Sequence, residues 1–280
     1  MRVARYLLLL AAGLIVACAP TSRPVLPEGP GVPLPDFHRV FESSTAACRQ
    51  VRTMEMVLAI NGQTGARRLR GRVRGALERP ASVRLEGLAP FGAAAFFLVV
   101  DPPGEAQLVL PRDRRVVTHD DGGELLGSLT GLALGPDDFR AVLTGCVVPD
   151  PRPVGGRSYG DAWKVIELEG NASIFLRPTD VDADADGALA VTVGTRPGMR
   201  VEYSDHVRGL PRRVRVLATD VSGVATDLTA TLSQVSINIE LLPDVFVAPP
   251  SDGYGRMTLE QFRGAVGPLE APPEETASPR

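Results

Sequence analysis

Ser82-Val-Arg-Leu-Glu-Gly-Leu-Ala-Pro-Phe-Gly92 is the stretch around which the rest of the chain is read. It begins as a strand, because Val83 and Leu85 alternate with Arg84 and Glu86 as a half-buried pleat requires. The alternation breaks at Gly87 and at Pro90-Phe91-Gly92, which are turn formers. The turn nevertheless carries Leu88 and Phe91, large apolar side chains where a loop ordinarily meets water, and Ala93 to Val100 follows as a second, more apolar strand. The segment is a hairpin with an apolar point. Such a point is either tucked back onto the core or kept exposed for a purpose.

On the N-terminal side, Met54, Met56, Leu58 and Ile60 share one face of a strand, and Asn61-Gly62 reads as its turn. Leu69, Val73 and Leu77 share one face of the next strand, with Arg68, Arg70, Arg72 and Arg74 on the other. That arginine row fits a basic strip for anionic lipid headgroups or a partner. It equally fits the solvated back of a sheet, which is the commoner case. Asp36 to about Arg52 has helical spacing, with Asp36 as its cap after Pro35.

On the C-terminal side, Gln107 to Leu110 and Arg115 to Thr118 are short strands, after which the period changes. Glu124 to Leu132 spaces its leucines as a helix does, and Pro136 to Gly145 starts on Pro and closes on Gly. Two short amphipathic helices there are well placed to cover the open face of a sheet. Strands resume at Trp163–Leu168, Ala172–Leu176, Leu189–Val193, Met199–Tyr203, Val214–Leu217 and Val224–Leu228. Val235, Ile237, Ile239 and Leu241, opposite Ser236, Asn238 and Glu240, make the clearest alternation of all, and a short helix is expected over Thr258 to Val266. The fold class is mainly β with flanking α. About ten or eleven antiparallel strands of this size curl into a barrel or half-barrel.

The ends read differently. Residues 1–17 form a basic head and an apolar run, closed by Ile15-Val16-Ala17 before Cys18. This resembles the bacterial lipobox, which implies acylation at Cys18, a membrane anchor without a span, and, with Ala19 following, outer-membrane sorting. Residues 18–35 are rich in Pro and Gly and read as an extended tether that holds a domain off the bilayer. Residues 36–266 are the domain and 267–280 a loose tail. A net charge of −3 argues against a nucleic-acid partner. With Cys18 assigned to lipid, Cys48 and Cys146 are either a disulfide, as an oxidising periplasm allows, or two buried thiols.

Enzymatic signatures are weak. Gly156-Arg-Ser-Tyr-Gly160 fits G-x-S-x-G, but a nucleophile elbow follows a buried strand, and a proline-rich run precedes Ser158. His38, His119 and His206 lack metal-ligand spacing. Asp182 to Gly187 matches the start of a calcium loop, yet Val193 stands where the bidentate acid belongs, and a polar hairpin turn accounts for it better. No metal or cofactor is expected, and no enzyme.

From Leu69 to Gly145 the order strand, Ala89-Pro-Phe-Gly92 turn, strand, two short strands and a helix pair carrying Leu129-Thr-Gly131 and Leu143-Thr-Gly145 resembles LolB, the outer-membrane lipoprotein receptor family. Val235 to Phe246 is similar to the closing strand of the wider LolA/LolB superfamily. The resemblance implies a curved half-barrel closed on one side by helices, with an apolar cavity for acyl chains. It assigns membrane insertion to the loop Leu88, Pro90, Phe91 and Gly92, with Phe91 in the place of the family's exposed leucine. Met54, Met56, Leu58, Ile60, Leu69, Val73, Leu77, Val235, Ile237 and Ile239 are the expected lining of that cavity. Ordinary close-packed core gives the same pattern. The implied partners are acyl chains of lipoproteins or other lipids and a LolA-like periplasmic carrier, for a protein expected to be monomeric. The alternative is a lipoprotein of the same fold that binds another lipid or glycolipid, or assists envelope assembly. The proline-rich tether, the cysteine pair and the long C-terminal segment depart from the LolB pattern.

Overall fold

The computed structural model describes residues 23–89, 94–179, 188–242 and 244–265. In chain order its elements are β1 (Val32–Pro33), α1 (Phe37–Gln50), β2 (Thr53–Thr64), β3 (Arg67–Glu78), β4 (Ser82–Leu88), β5 (Ala94–Val100), β6 (Ala106–Leu110) and β7 (Arg115–His119). Then come α2 (Gly122–Thr130), α3 (Pro136–Thr144), β8 (Pro153–Tyr159), β9 (Trp163–Leu168), β10 (Ala172–Pro178) and β11 (Leu189–Arg196). The last are β12 (Met199–Ser204), β13 (Arg213–Thr219), β14 (Ala225–Ile237), β15 (Gly255–Arg256) and α4 (Leu259–Arg263).

All fifteen strands belong to one open, curved sheet in the order β1-β8-β9-β10-β11-β12-β13-β14-β2-β3-β4-β5-β6-β7-β15. Two meanders, β2 to β7 and β8 to β14, are joined where β14 returns to pair with β2. Every pairing is antiparallel except that of β15 with β7. The sheet does not close into a barrel, and its two edges are strands of two residues each. Edges that short offer little template for further pairing.

The period-two pattern becomes continuous apolar rows once strands are in register. Met56, Gly75, Leu85, Leu98, Leu108 and Val117 stand side by side across β2 to β7. Val201, Val216, Leu228, Gly62 and Leu69 do the same from β12 to β3. A Cβ on Gly75 would come within 2.6 Å of Met56 Cε, so the flexible thioether fills the gap the glycine leaves. This concave face is covered by α1 over β8 and β11, α2 over β6 and β7, and α3 over β4.

Several expectations are corrected. Asn61-Gly62 is not a turn: β2 continues to Thr64, and Gly62 lies where β14 crosses so closely that a Cβ would overlap the Asp227 carbonyl oxygen. The last two candidate strands fuse into β14, thirteen residues with a register shift between Ser233 and Ser236. Ser158 belongs to a strand, β8, that proline content concealed. Residues 23–35 are not a free spacer. Val32 and Pro33 pair with Ser158 and Arg157, Leu34 N–H donates to Gly156 O at 2.9 Å, and Tyr159 Oη donates to Gly29 O at 3.0 Å. Further upstream, Arg200 donates to Pro24 O at 2.6 Å and Arg23 pairs with Asp227 at 3.5 Å. Proline lowers the entropy lost when such a segment is laid down, so the composition that reads as a tether also suits docking.

Candidate functional site: the apolar face under the helix pair

Local sequence places α2 and α3. Asp121 caps α2 by accepting from Gly123 N–H at 2.7 Å and Glu124 N–H at 3.2 Å, and Gly131 ends it at φ 73°. Pro136 opens α3 and Gly145 closes it at φ 92°. Left-handed φ at both ends is what glycine tolerates without penalty. Each helix turns its apolar side down, Leu125, Leu126 and Leu129 from α2 and Phe139, Val142 and Leu143 from α3, onto Leu58, Val73, Leu85 and Phe96 of the sheet. Between them remains a void of about 50 Å³ whose lining is apolar except for Thr130 and Thr229. That is room for a few water-sized groups and far less than a fatty acyl chain. The interior is therefore nearly filled.

The helix pair is held at discrete points. Cys48 of α1 is bonded to Cys146, just past α3, with an S–S distance of 2.07 Å. Asp138 of α3 pairs with Arg196 of β11. Thr226 of β14 donates to Gly131 O at 3.2 Å, at the turn between α2 and α3. Arg263 of α4 pairs with Glu124 at 3.2 Å and donates to Ser128 Oγ at 2.9 Å on the outer side of α2. These are a few polar contacts and one covalent bond around a largely apolar surface, in which the helices also bury Thr130, Thr144 and Arg140, the last paired with Asp137 of its own helix.

The residues expected to line a cavity divide into two groups. Met54, Met56, Leu58, Leu69, Val73 and Leu77 are buried on the concave face, and Ile60 packs against it half-buried. Val235 is also half-buried there, but Ile237 is 39% exposed and Ile239 lies beyond β14. The closing strand does not present 235, 237 and 239 inward as a set. Its register shift, with Gln234 at φ 52°, resets the alternation, and Leu228 and Leu232 take the inward positions. Asn238 at φ 54° then turns the chain away, its amide donating to Thr53 O at 2.8 Å and its side chain bridging Arg52 N–H and Gln50 O.

Leu88 ends β4, half-buried, in register with Arg72. Pro90, Phe91, Gly92, the acylation position Cys18 and the calcium-like run Asp182 to Gly187 lie outside the described residues. Ser158 sits mid-strand in β8, not at a strand-to-helix turn, and its hydroxyl accepts from Lys164 Nζ at 2.6 Å. Among the described residues no group of three His, Cys, Asp or Glu is placed to hold a metal. His206 is partly buried with its Nε2 at 3.1 Å from Val191 O, and burial pulls its imidazole below the usual range. Burial likewise pushes the Tyr203 phenol well up, and its hydroxyl has no partner among the described residues.

Sequence reasoning missed the polar contacts that hold the helices and the use of the outer face. From 244 to 257 the C-terminal segment runs over that face. Arg84 donates to Val245 O and Val247 O at 3.0 Å each, and Met257 N–H donates to Val116 O at 2.9 Å. No periodic signal marks such a strap, since its contacts are main-chain groups met by one arginine and by a two-residue pairing with β7.

No family model and no curated protein matches the chain. Among solved structures it is similar to a LolA superfamily protein from Nitrosomonas europaea at 11% identity and TM-score 0.43, covering 75% of this chain and 97% of that one. It is also similar to a DUF1329 family protein from Desulfovibrio piger at 8% identity and TM-score 0.45, covering 75% and 96%.

Proposed function

We propose that this chain is a lipid-anchored envelope protein that accepts the acyl chains of lipoproteins from a LolA-like periplasmic carrier and places them in the outer membrane. The observation that carries the reading is a largely apolar sheet face whose part over β4 to β7 is covered by two nine-residue helices that are fastened at a few points. A second sheet packed there would be an ordinary sandwich core. A short helix pair is a cover that can be displaced. The residue pattern shared with LolB across Leu69 to Gly145, and the lipobox at Cys18, supply the envelope setting and the cargo class.

The energetics set what the cover must do. An exposed acyl chain costs about 0.8 kcal/mol per CH₂, so a chain of about sixteen carbons costs on the order of 12 kcal/mol in water. The cargo chain therefore has to find apolar surface at both ends of the hand-over. With a void of about 50 Å³, the chain enters only as α2 and α3 lift from Leu58, Val73, Leu85 and Phe96. The disulfide tethers the end of α3 to α1, so the mouth opens at the turn between α2 and α3, where Thr226 and Gly131 meet. Met54 and Met56 adapt the exposed face to the incoming chain. No bond is made or broken in this step. The apolar tip at Phe91 then enters the target bilayer and gives the chain its exit.

The test is a two-part reconstitution. Native mass spectrometry of the unacylated chain is expected to show co-purified lipid. In a hand-over assay from a loaded carrier to vesicles, Phe91→Glu is expected to leave folding intact and strand the lipoprotein. Normal delivery by that variant, or binding of a glycolipid with no lipoprotein transfer, overturns the receptor reading.

A further inference from the structure

The outer face of the sheet is divided by the chain's own ends. Residues 23–34 run from Asp227 of β14, where Arg23 is held, to β8, and the C-terminal strap crosses β4 to β7. Among the described residues neither segment covers an open groove of about 1360 Å³ that is lined from β13, β14, β2, β3, β4 and β5. Five arginines line it, Arg70, Arg72, Arg74, Arg112 and Arg213, and no Asp or Glu does. Arg74 is paired with Glu86 at 3.4 Å and Arg213 with Asp205 at 3.6 Å. Arg70, Arg72 and Arg112 have no ion pair among the described residues. The rest of its lining is mixed, with Asn61, Thr229 and Thr231 beside Val57, Ile60, Leu88 and Phe96.

We infer that this groove is a membrane-docking surface that takes the phosphates of anionic phospholipid headgroups. Three observations converge on that occupant. The first is charge, since unpaired guanidiniums with no acid beside them attract a diffuse anionic surface and suit phosphate geometry. The second is position. Arg70 pairs with Asn61, and Asn61 with Thr229, two residues from Asp227. Strand spacing then sets Arg70 about 12 Å from Asp227. Asp227 is where Arg23 is held, and Arg23 is five residues from Cys18, a span of at most about 18 Å. An anchor at Cys18, which belongs to the functional reading above, therefore brings this face and no distant one to the bilayer. The third is continuity with the hairpin, because Leu88 is in register with Arg72 and also lines the groove.

The experiment uses the chain from residue 18 onward with Cys18→Ala, which cannot be acylated, so binding is read independently of the anchor and of any carrier. Sedimentation with phosphatidylcholine vesicles is compared with vesicles holding a third phosphatidylglycerol, at low and high salt. Binding is expected on the anionic vesicles only and is expected to fall as salt rises. Arg70→Glu with Arg72→Glu is expected to weaken it at least about tenfold, given the usual contribution of each basic residue near such a surface. Both side chains are exposed, so circular dichroism and the melting temperature should not change. Arg39→Glu with Arg152→Glu, the same charge change away from the groove, is expected to retain binding. Equal binding by the two double variants overturns the inference, as does equal binding to neutral vesicles. Absence of vesicle binding alongside capture of an acidic carrier protein by the groove also overturns it. Lipoprotein hand-over that fails while vesicle binding persists counts against the receptor function and leaves this surface standing.

Discussion

Replacing both bridged cysteines, Cys48→Ala with Cys146→Ala, tests the link between the cover and the stability of the whole domain. The bond joins positions 98 residues apart. Closing a loop of about 100 residues removes about 4.7 kcal/mol of chain entropy from the unfolded state, and measured losses on removing native disulfides run to about 2–5 kcal/mol. Against a total of about 5–15 kcal/mol this is a large share. At roughly 2–4 °C per kcal/mol for a domain of this size, a loss of about 4 kcal/mol lowers the melting temperature by roughly 8–16 °C. The same bond ties α1 to the end of α3, which otherwise meets the sheet through Phe139, Val142 and Leu143 and one ion pair, Asp138 with Arg196. The double variant should therefore also bind an apolar dye such as ANS under native conditions, below its unfolding transition. Urea unfolding monitored by fluorescence, with dye binding in parallel, measures both. A stability loss under about 1 kcal/mol would refute the entropic argument. A full loss with no dye binding before global unfolding would show that the helix pair does not separate on its own, and the displaceable cover would be abandoned.

Tyr203→Phe removes a buried hydroxyl that has no partner among the described residues, so it should leave stability unchanged or raise it by up to about 1 kcal/mol, read from urea midpoints. Gly62→Ala sets a methyl against the Asp227 carbonyl at the join between β2 and β14 and should cost about 1–3 kcal/mol by the same measure. His206 is held neutral in the fold, with its imidazole below the ordinary value of 6.5, so the unfolded chain binds more protons as pH falls below that value. Stability should therefore be full above about pH 6.5 and decline on acidification through the window beneath it, and His206→Gln should flatten that part of a melting curve taken from pH 7.5 to 5.5.

Much of the architecture was legible because it rests on local rules. Alternation in Met54 to Ile60 and in Ser82 to Glu86 specified strands and their inward faces, since a pleat has a fixed period of two. Leucine spacing marked the first helix of the pair, although it ends at Gly131 and not at Leu132, and Pro136 and Gly145 marked the second, because helix ends need particular φ angles whatever surrounds them. The arginine row on β3 was equally plain, as was the pairing option open to Cys48 and Cys146.

Other features depend on partners far away in sequence, and these the tertiary structure decided. Gly62 looks like a turn until β14, about 165 residues later, presses against it. Val235, Ile237 and Ile239 look like one inward face until a register shift against β2 turns the alternation over. Residues 23–34 look like a spacer until carbonyls at Pro24 and Gly29 meet Arg200 and Tyr159. The arginine row was ambiguous for the same reason. A charge on the back of a strand is ordinary when something covers or pairs it, and only the packing of the described residues shows that Arg70 and Arg72 stay exposed and without an ion pair among them.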